Sequence, residues 1–290
     1  MLNILPMMVR RARGSIYSPS SHLLVSGHRD YWSRTNTTYF SYTGSGTTTT
    51  LDSSGNSTVQ EFSSTVEALG SITPTASSSS GYQFTIEGDF TTFSLYPSSF
   101  TSTASWTYVS TIDQCVLDGV TTCASMFRGM SILASCCDLA IPEGVTDANN
   151  MFRFARVMAA APMVTFPSTI EDISYFFLTC TAMASLPSGF AIPANAVNLS
   201  YMFYNCKGAF AIPTFPDAFT NPNISSTNKL KLQHMFEYDN AMTGTAPADK
   251  LWNNSFFATG TPSVFDACFS QCSALSNYAQ IPITWGGTAA

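Results

Sequence analysis

The residues of this 290-residue chain that could do chemistry are eight cysteines, three histidines and a few paired carboxylates. His22, His28 and His234 stand in none of the settings that zinc hydrolysis or acyl transfer needs, neither an H-E-x-x-H helix nor a nucleophile–base arrangement. Glu171-Asp172 and Glu237/Asp239 are carboxylate pairs that could act as acid and base on a glycosidic bond, which requires two carboxyls at a set separation. The more ordinary role for such residues is to cap a helix or solvate a face. His234 directly precedes Met235-Phe236 and is expected to face solvent. No C-x-x-C spacing occurs and the histidines lie far from the cysteines, so no metal or cofactor is expected. Gly44-Ser-Gly46 lacks the lysine and the strand–helix context of a phosphate loop and reads as a turn. The expectation is a protein that is not an enzyme.

Composition narrows the partners. Only 10% of residues are charged, the net charge is −6, and four lysines serve the whole chain, which argues against nucleic acid. At 45% hydrophobic residues with 22 phenylalanines there is material for a core, so global disorder is excluded. No apolar run approaches the ~18 residues of a spanning helix, and membrane insertion is not expected. The first 34 residues hold five arginines against Asp30, a local sum of +4, which leaves −10 for the remainder. The apolar stretch Met1–Val9 precedes the cluster Arg10, Arg11 and Arg13, the reverse of a secretory signal. Residues 1–30 therefore read as an anchoring arm, with Leu2, Ile4, Leu5, Met7, Met8, Arg10, Arg11 and Arg13 as its contacts; a solvated flexible arm is the plainer alternative.

Those features need elements to position them. Residues 31–111 alternate β-branched or small polar residues with aromatics, as in Thr37-Thr-Tyr-Phe-Ser-Tyr42, Gln83-Phe-Thr-Ile-Glu87 and Phe90-Thr-Thr-Phe-Ser-Leu-Tyr96. That period suits half-buried strands, with breaks at Gly44–Thr50, Ser53–Asn56 and Ser77–Gly81. A small antiparallel β module is expected.

From residue 112 to 290 the chain repeats. Met126-Phe127, Met151-Phe152, Phe176-Phe177, Met202-Phe203, Met235-Phe236 and Cys268-Phe269 recur at spacings of 25, 25, 26, 33 and 33 residues. Around each, apolar residues fall at i, i+3, i+4 and i+7: Cys123/Met126/Phe127/Met130, Ala148/Met151/Phe152/Ala155, Ile173/Phe176/Phe177/Cys180, Leu199/Met202/Phe203/Cys206 and Phe265/Cys268/Phe269/Cys272. The fifth unit, Leu232/Met235/Phe236/Asp239, departs only at its last place. This spacing predicts a short amphipathic helix followed by a short strand in each unit. Such a unit cannot bury its own face and must stack on its neighbours. The fold class expected is α+β: a small antiparallel β module followed by a six-unit leucine-rich-repeat-like solenoid of strand-plus-helix units.

Ser200-Tyr-Met-Phe-Tyr-Asn-Cys206, with the Ile/Leu-Pro stretch that follows it, resembles the BspA-type leucine-rich repeats of bacterial surface proteins and of proteins of gut bacteria and their phages. The resemblance covers roughly residues 112–285. Phe84-Thr-Ile-Glu-Gly-Asp-Phe90 is similar to the lead-in found before such repeats. Ala155 and Asp239 depart from the usual Cys, and the fourth and fifth units carry about eight extra residues each. The family implies a curved solenoid for adhesion or display and supplies no catalytic residues.

Cys123, Cys180, Cys206, Cys268 and Cys272 fall on stripe positions and are expected to be buried free thiols acting as small hydrophobes. Stacking could bring Cys180 near Cys206, and Cys115, Cys136 and Cys137 have no assigned role. The insertions at about 216–231 and 249–263 are the expected ligand-binding loops, through Asn221, Asn223, Trp252, Asn253, Asn254, Phe256 and Phe257; equally, these aromatics could cap the array. The function expected is a non-enzymatic phage virion fibre or decoration protein on the extracellular particle surface, with a bacterial cell-surface adhesin as the alternative. Its expected partners are other virion proteins through residues 1–30, a host-surface glycan or protein, and further copies of itself.

Overall fold

The computed structural model describes residues 23–29, 38–52, 57–72, 82–95, 109–258 and 263–289. Alternating aromatic and β-branched residues do form strands: β1 (Leu23–Arg29), β2 (Thr38–Asp52), β3 (Ser57–Ile72), β4 (Tyr82–Ser94) and β5 (Val109–Leu117). They make one sheet in the order β3-β2-β4-β1-β5-β6, where β6 is Ser135–Cys136. All pairings are antiparallel except β5 with β6. Phe40, Tyr42, Phe84, Ile86, Phe90 and Phe93 are among the buried side chains of this sheet. Phe62 packs edge-on against Phe40 at 5.2 Å.

Two details differ from the sequence reading. Leu23–Arg29, at the end of the expected arm, is the strand between β4 and β5. Gly44-Ser-Gly46 is not a turn but the middle of β2. A Cβ on Gly44 would lie 2.1 Å from the Asp89 carbonyl oxygen, so the glycines serve a close crossing of β2 over β4. The expected breaks at Ser53–Asn56 and Ser77–Gly81 lie outside the described residues.

The strand-plus-helix solenoid is not there. Among the described residues the only α-helix is α1, Ser255–Ala258, in the second insertion. Two residues in each unit explain the failure. The residue before each Met-Phe anchor is left-handed (Ser125, Asn150, Tyr175, Tyr201, His234 and Ala267, φ 53 to 60°), and so is the residue four further on, such as Phe154 (φ 70°) and Tyr238 (φ 69°). An α-helix of L-residues does not accommodate left-handed positions at this density. The backbone amides are spent differently too. Cys123, Ser125, Phe127 and Gly129 donate to the carbonyls of Asp147, Asn149, Met151 and Arg153 in the next unit at 2.8–3.0 Å. Alternate amides close short turns, such as Met126 N–H to the Cys123 carbonyl at 3.3 Å. Each unit is thus a chain of tight turns laid in parallel register on its neighbour. Extended pieces are two-residue strands, such as β7 (Leu139–Ala140) with β8 (Val164–Thr165), or single bridges such as Asp172↔Asn198.

That correction removes the functional reading built on a helical-repeat surface. A virion fibre or decoration protein, or an adhesin, presenting such a solenoid has no counterpart in a β-rich domain whose sheet runs into stacked turns. No helix among the described residues is long and apolar enough to cross a membrane.

What the apolar spacing did specify is the interior. The anchor phenylalanines form a column: Phe127–Phe152 at 5.4 Å, Phe152–Phe177 at 5.6 Å, Phe177–Phe203 at 5.5 Å, Phe203–Phe236 at 5.3 Å and Phe236–Phe269 at 5.3 Å. All are fully buried and belong to one core continuous with that of the sheet. Ring pairs at this separation contribute about 0.5–1.5 kcal/mol each beyond the area they bury.

The last stripe position forms a second column. The Cys180, Cys206 and Cys272 thiols donate to the carbonyls of Phe152, Phe177 and Phe236, at 3.3, 3.0 and 3.0 Å, each in the preceding unit. All eight cysteines are free. Burial pushes the Cys123 thiol up to about 12 and those of Cys206 and Cys268 well above their ordinary range.

Candidate functional site

Register stacking turns each position of the repeat into a row of side chains. The left-handed position before the anchor presents Asn150, Tyr175, Tyr201 and His234 in order, all partly exposed, whereas the adjoining anchors are fully buried. Tyr175 and Tyr201 stack at 5.0 Å with their rings 4° from parallel, and Tyr201 stacks on His234 at 4.6 Å. At the near end the Arg153 guanidinium sits 4.7 Å from the Phe154 ring and 5.4 Å from that of Tyr175; Arg156 covers Phe154 at 5.6 Å. Arg153 Nη1 also donates to Asn150 Oδ1 at 3.0 Å. Beside the row, Tyr204 contacts Tyr201 at 5.4 Å and Tyr238 at 5.3 Å. The result is one continuous ridge of half-buried aromatic rings.

Its charge is polarised. Arg153 and Arg156 lie at one end. At the other, His234 Nδ1 is 2.6 Å from Glu237 Oε2, and Nε2 is 3.7 Å from Asp266 Oδ2. Burial raises the Tyr201 and Tyr204 phenols, helped by neighbouring Tyr175, Glu237 and Asp266 for Tyr201 and by Glu237 for Tyr204. Both hydroxyls are therefore protonated at neutral pH and available as donors. Because the rings are locked by one another, little side-chain freedom is left to lose on binding.

The carboxylates weighed for catalysis are held in structural roles. Asp172 Oδ1 accepts from Ser174 N–H (2.9 Å) and Ser174 Oγ (2.6 Å), and Oδ2 accepts from Asn198 Nδ2 at 2.9 Å. Asp147 closes the same turn one unit earlier, and burial followed by nearby Asp172 raises its carboxyl above the ordinary range. Glu171 Oε1 accepts from Asn223 at 2.7 Å. Asp239 is fully buried; Oδ1 accepts from Cys206 N–H at 2.6 Å, and Oδ2 has no partner. Glu237 and Asp239 therefore lie in different environments and do not form a reacting pair. Among the described residues no group of three or more His, Cys, Asp or Glu could hold a metal ion.

The sequence-proposed ligand residues are found in two groups. Trp252, Phe256 and Phe257 gather at the end of the array: Trp252 meets Phe269 and Trp285 edge-on at 6.3 and 6.1 Å, and Phe257 meets Trp285 at 5.1 Å. Phe256 packs on Phe257 and Phe219. Asn253 N–H donates to the Ala248 carbonyl, while Asn254 Nδ2 donates to Asp217 and Asp249 carbonyls. Asn221 and Asn223 instead brace Glu171 and the Asn195 carbonyl. Leu2, Ile4, Leu5, Met7, Met8, Arg10, Arg11 and Arg13 lie outside the described residues.

The sequence reading missed the ridge, because a helical wheel scatters Tyr175, Tyr201, Tyr204, Tyr238 and Arg153 over a polar face. Aligning the six units at their anchors and reading down the preceding position, Ser/Asn/Tyr/Tyr/His/Ala, would have shown the row. The chain matches no family model, no curated protein and no solved structure, so the BspA-type resemblance rests on its residue pattern alone.

Proposed function

We propose that this chain is a non-enzymatic protein-binding module whose contact surface is the ridge Arg153–Phe154–Tyr175–Tyr201–His234, with Tyr204 and Tyr238 alongside. The observation that carries this is the continuous, mutually locked stacking of the row, polarised from arginine to carboxylate. Tyrosine and arginine, with tryptophan, are enriched among the few hot-spot residues that carry most of the binding energy of protein interfaces. Rigid rings contribute that energy at low entropic cost. A polypeptide is favoured over a glycan on geometric grounds. A sugar stacks on an open ring face, and here the faces of Tyr175 and Tyr201 are taken by Arg153, by each other and by His234. What the row presents is ring edges and phenol donors between opposite charges, which suits a polar peptide segment.

The test screens the full chain and an Arg153→Ala/Tyr201→Ala variant against an unbiased peptide library and a glycan array, with folding followed by circular dichroism. Peptide ligands whose affinity falls tenfold or more in the folded variant, a loss of about 1.4 kcal/mol or more, support the module. Peptide ligands indifferent to the substitutions, or glycan ligands that depend on the row, overturn it.

A further inference from the structure

The charges at the two ends of the ridge are not equally available. Arg153 is engaged by Asn150 Oδ1 and by the Phe154 and Tyr175 rings. The Glu237 side chain is 14% exposed and is held by His234 Nδ1. The open charges stand just outside these two. Arg156 is exposed, lies over the Phe154 ring and forms no ion pair with a described residue. The Asp266 side chain is 66% exposed, and its one ion-pair contact is His234 Nε2 at 3.7 Å. Among the described residues, none of the hydroxyls of Tyr175, Tyr201, Tyr204 and Tyr238 has a hydrogen-bond partner.

The stacking register sets the distance between the open charges. Arg156 belongs to the second unit and Asp266 to the sixth. The anchor rings step by 5.6, 5.5, 5.3 and 5.3 Å over those intervals. Four strand-to-strand spacings amount to about 20 Å along the stack. An extended peptide covers that length with about six residues, and its residues i, i+2, i+4 and i+6 face the same way. It also leaves its carbonyls open to the phenol donors, whereas a helix spends them internally.

Taking the ridge as the peptide-binding surface proposed above, we propose that its ligand is an extended segment with an acidic and a basic side chain six residues apart. The acid meets Arg156, the base meets Asp266, and the side chains at i+2 and i+4 lie against the tyrosine edges. Either chain direction satisfies this pairing. A spacing of five does not, because it turns the second charge away from the ridge. Lys207 holds in the fourth unit the place of Arg156 in the second, so the middle of the row disfavours a further basic residue.

The experiment pans displayed seven-residue pools, random at the free positions, against the full chain. Pools with Glu and Lys at the two ends are compared with pools of equal charge in which the second charge stands at the sixth place. The end-charged pools should be enriched about three- to fivefold over the others, the value of one exposed ion pair, and the preference should shrink at high salt. Arg156→Glu should switch the choice to pools with Lys at both ends, and Asp266→Lys to pools with Glu at both ends, each variant keeping the wild-type circular dichroism. Ligands that require Tyr201 but show no spacing preference, or whose end charges are unchanged in Arg156→Glu, overturn this proposal and leave the ridge reading standing. Ligands indifferent to Tyr201→Ala, or no enriched ligand in any pool, overturn both.

Discussion

Replacing Asp239 by alanine should stabilise the protein, and increasingly so as pH rises. Asp239 occupies the column position held by Ala155 in the second unit and by Cys180, Cys206 and Cys272 in others. Its burial, with the Cys206 thiol nearby, holds the carboxyl well above the usual range, and one oxygen has no partner. Removing an unsatisfied buried polar atom recovers about 1–3 kcal/mol. Cys206 N–H, which donates to Asp239, keeps a bond to the Phe203 carbonyl at 3.1 Å, so the substitution orphans nothing there. The pH term adds to this. Above about pH 4 an unfolded aspartate ionises, while the folded one retains its proton. The folded state then binds more protons than the unfolded, and wild-type stability falls with pH. The slope is about 1.4 kcal/mol per pH unit over that window. Between pH 4.5 and 5.5 the gap between variant and wild type should therefore widen by about that amount for as long as the folded carboxyl stays protonated. Urea unfolding of both proteins under reducing conditions, at half-unit steps of pH, reads it directly. A gap that stays constant, or narrows with rising pH, refutes the argument, because Asp239 would then be ionised and compensated in the core.

Phe203→Ala should cost about 3–5 kcal/mol, measured the same way, since its ring lies between Phe177 and Phe236 in the buried column; a loss below about 1 kcal/mol would contradict a continuous core. Gly44→Ala should destabilise by about 1–3 kcal/mol, because φ is +133° and the new Cβ meets the Asp89 carbonyl; amide exchange in β2 and β4 should rise selectively. An ultraviolet titration should show a late-ionising tyrosine component that shrinks in Tyr201→Phe, because burial raises that phenol. Loss of amplitude from the normally titrating component, with the late one intact, would place Tyr201 in open solvent.

How much was legible in the sequence follows from what each pattern encodes. The alternation in Phe84-Thr-Ile-Glu87 specified a strand, because period two has one structural meaning over that length. The stripe Leu199/Met202/Phe203/Cys206 specified which side chains are buried, and all four are. It did not specify a helix, because a run of tight turns buries the same positions. The left-handed φ of Tyr201 and Asn205 leaves no mark in the identities of two non-glycine residues.

The six-fold recurrence, the buried cysteine column and the six phenylalanine anchors were thus determined by the sequence alone, since apolar identity and spacing are local properties. The tertiary structure decided the rest. Stacking in register diverts alternate amides of each unit to its neighbour, and that replaces helix by ladder. The same register sets Tyr175, Tyr201 and His234, 26 and 33 residues apart in the chain, at ring-stacking distance. A surface made by neighbours so distant in sequence exists only once the register is fixed.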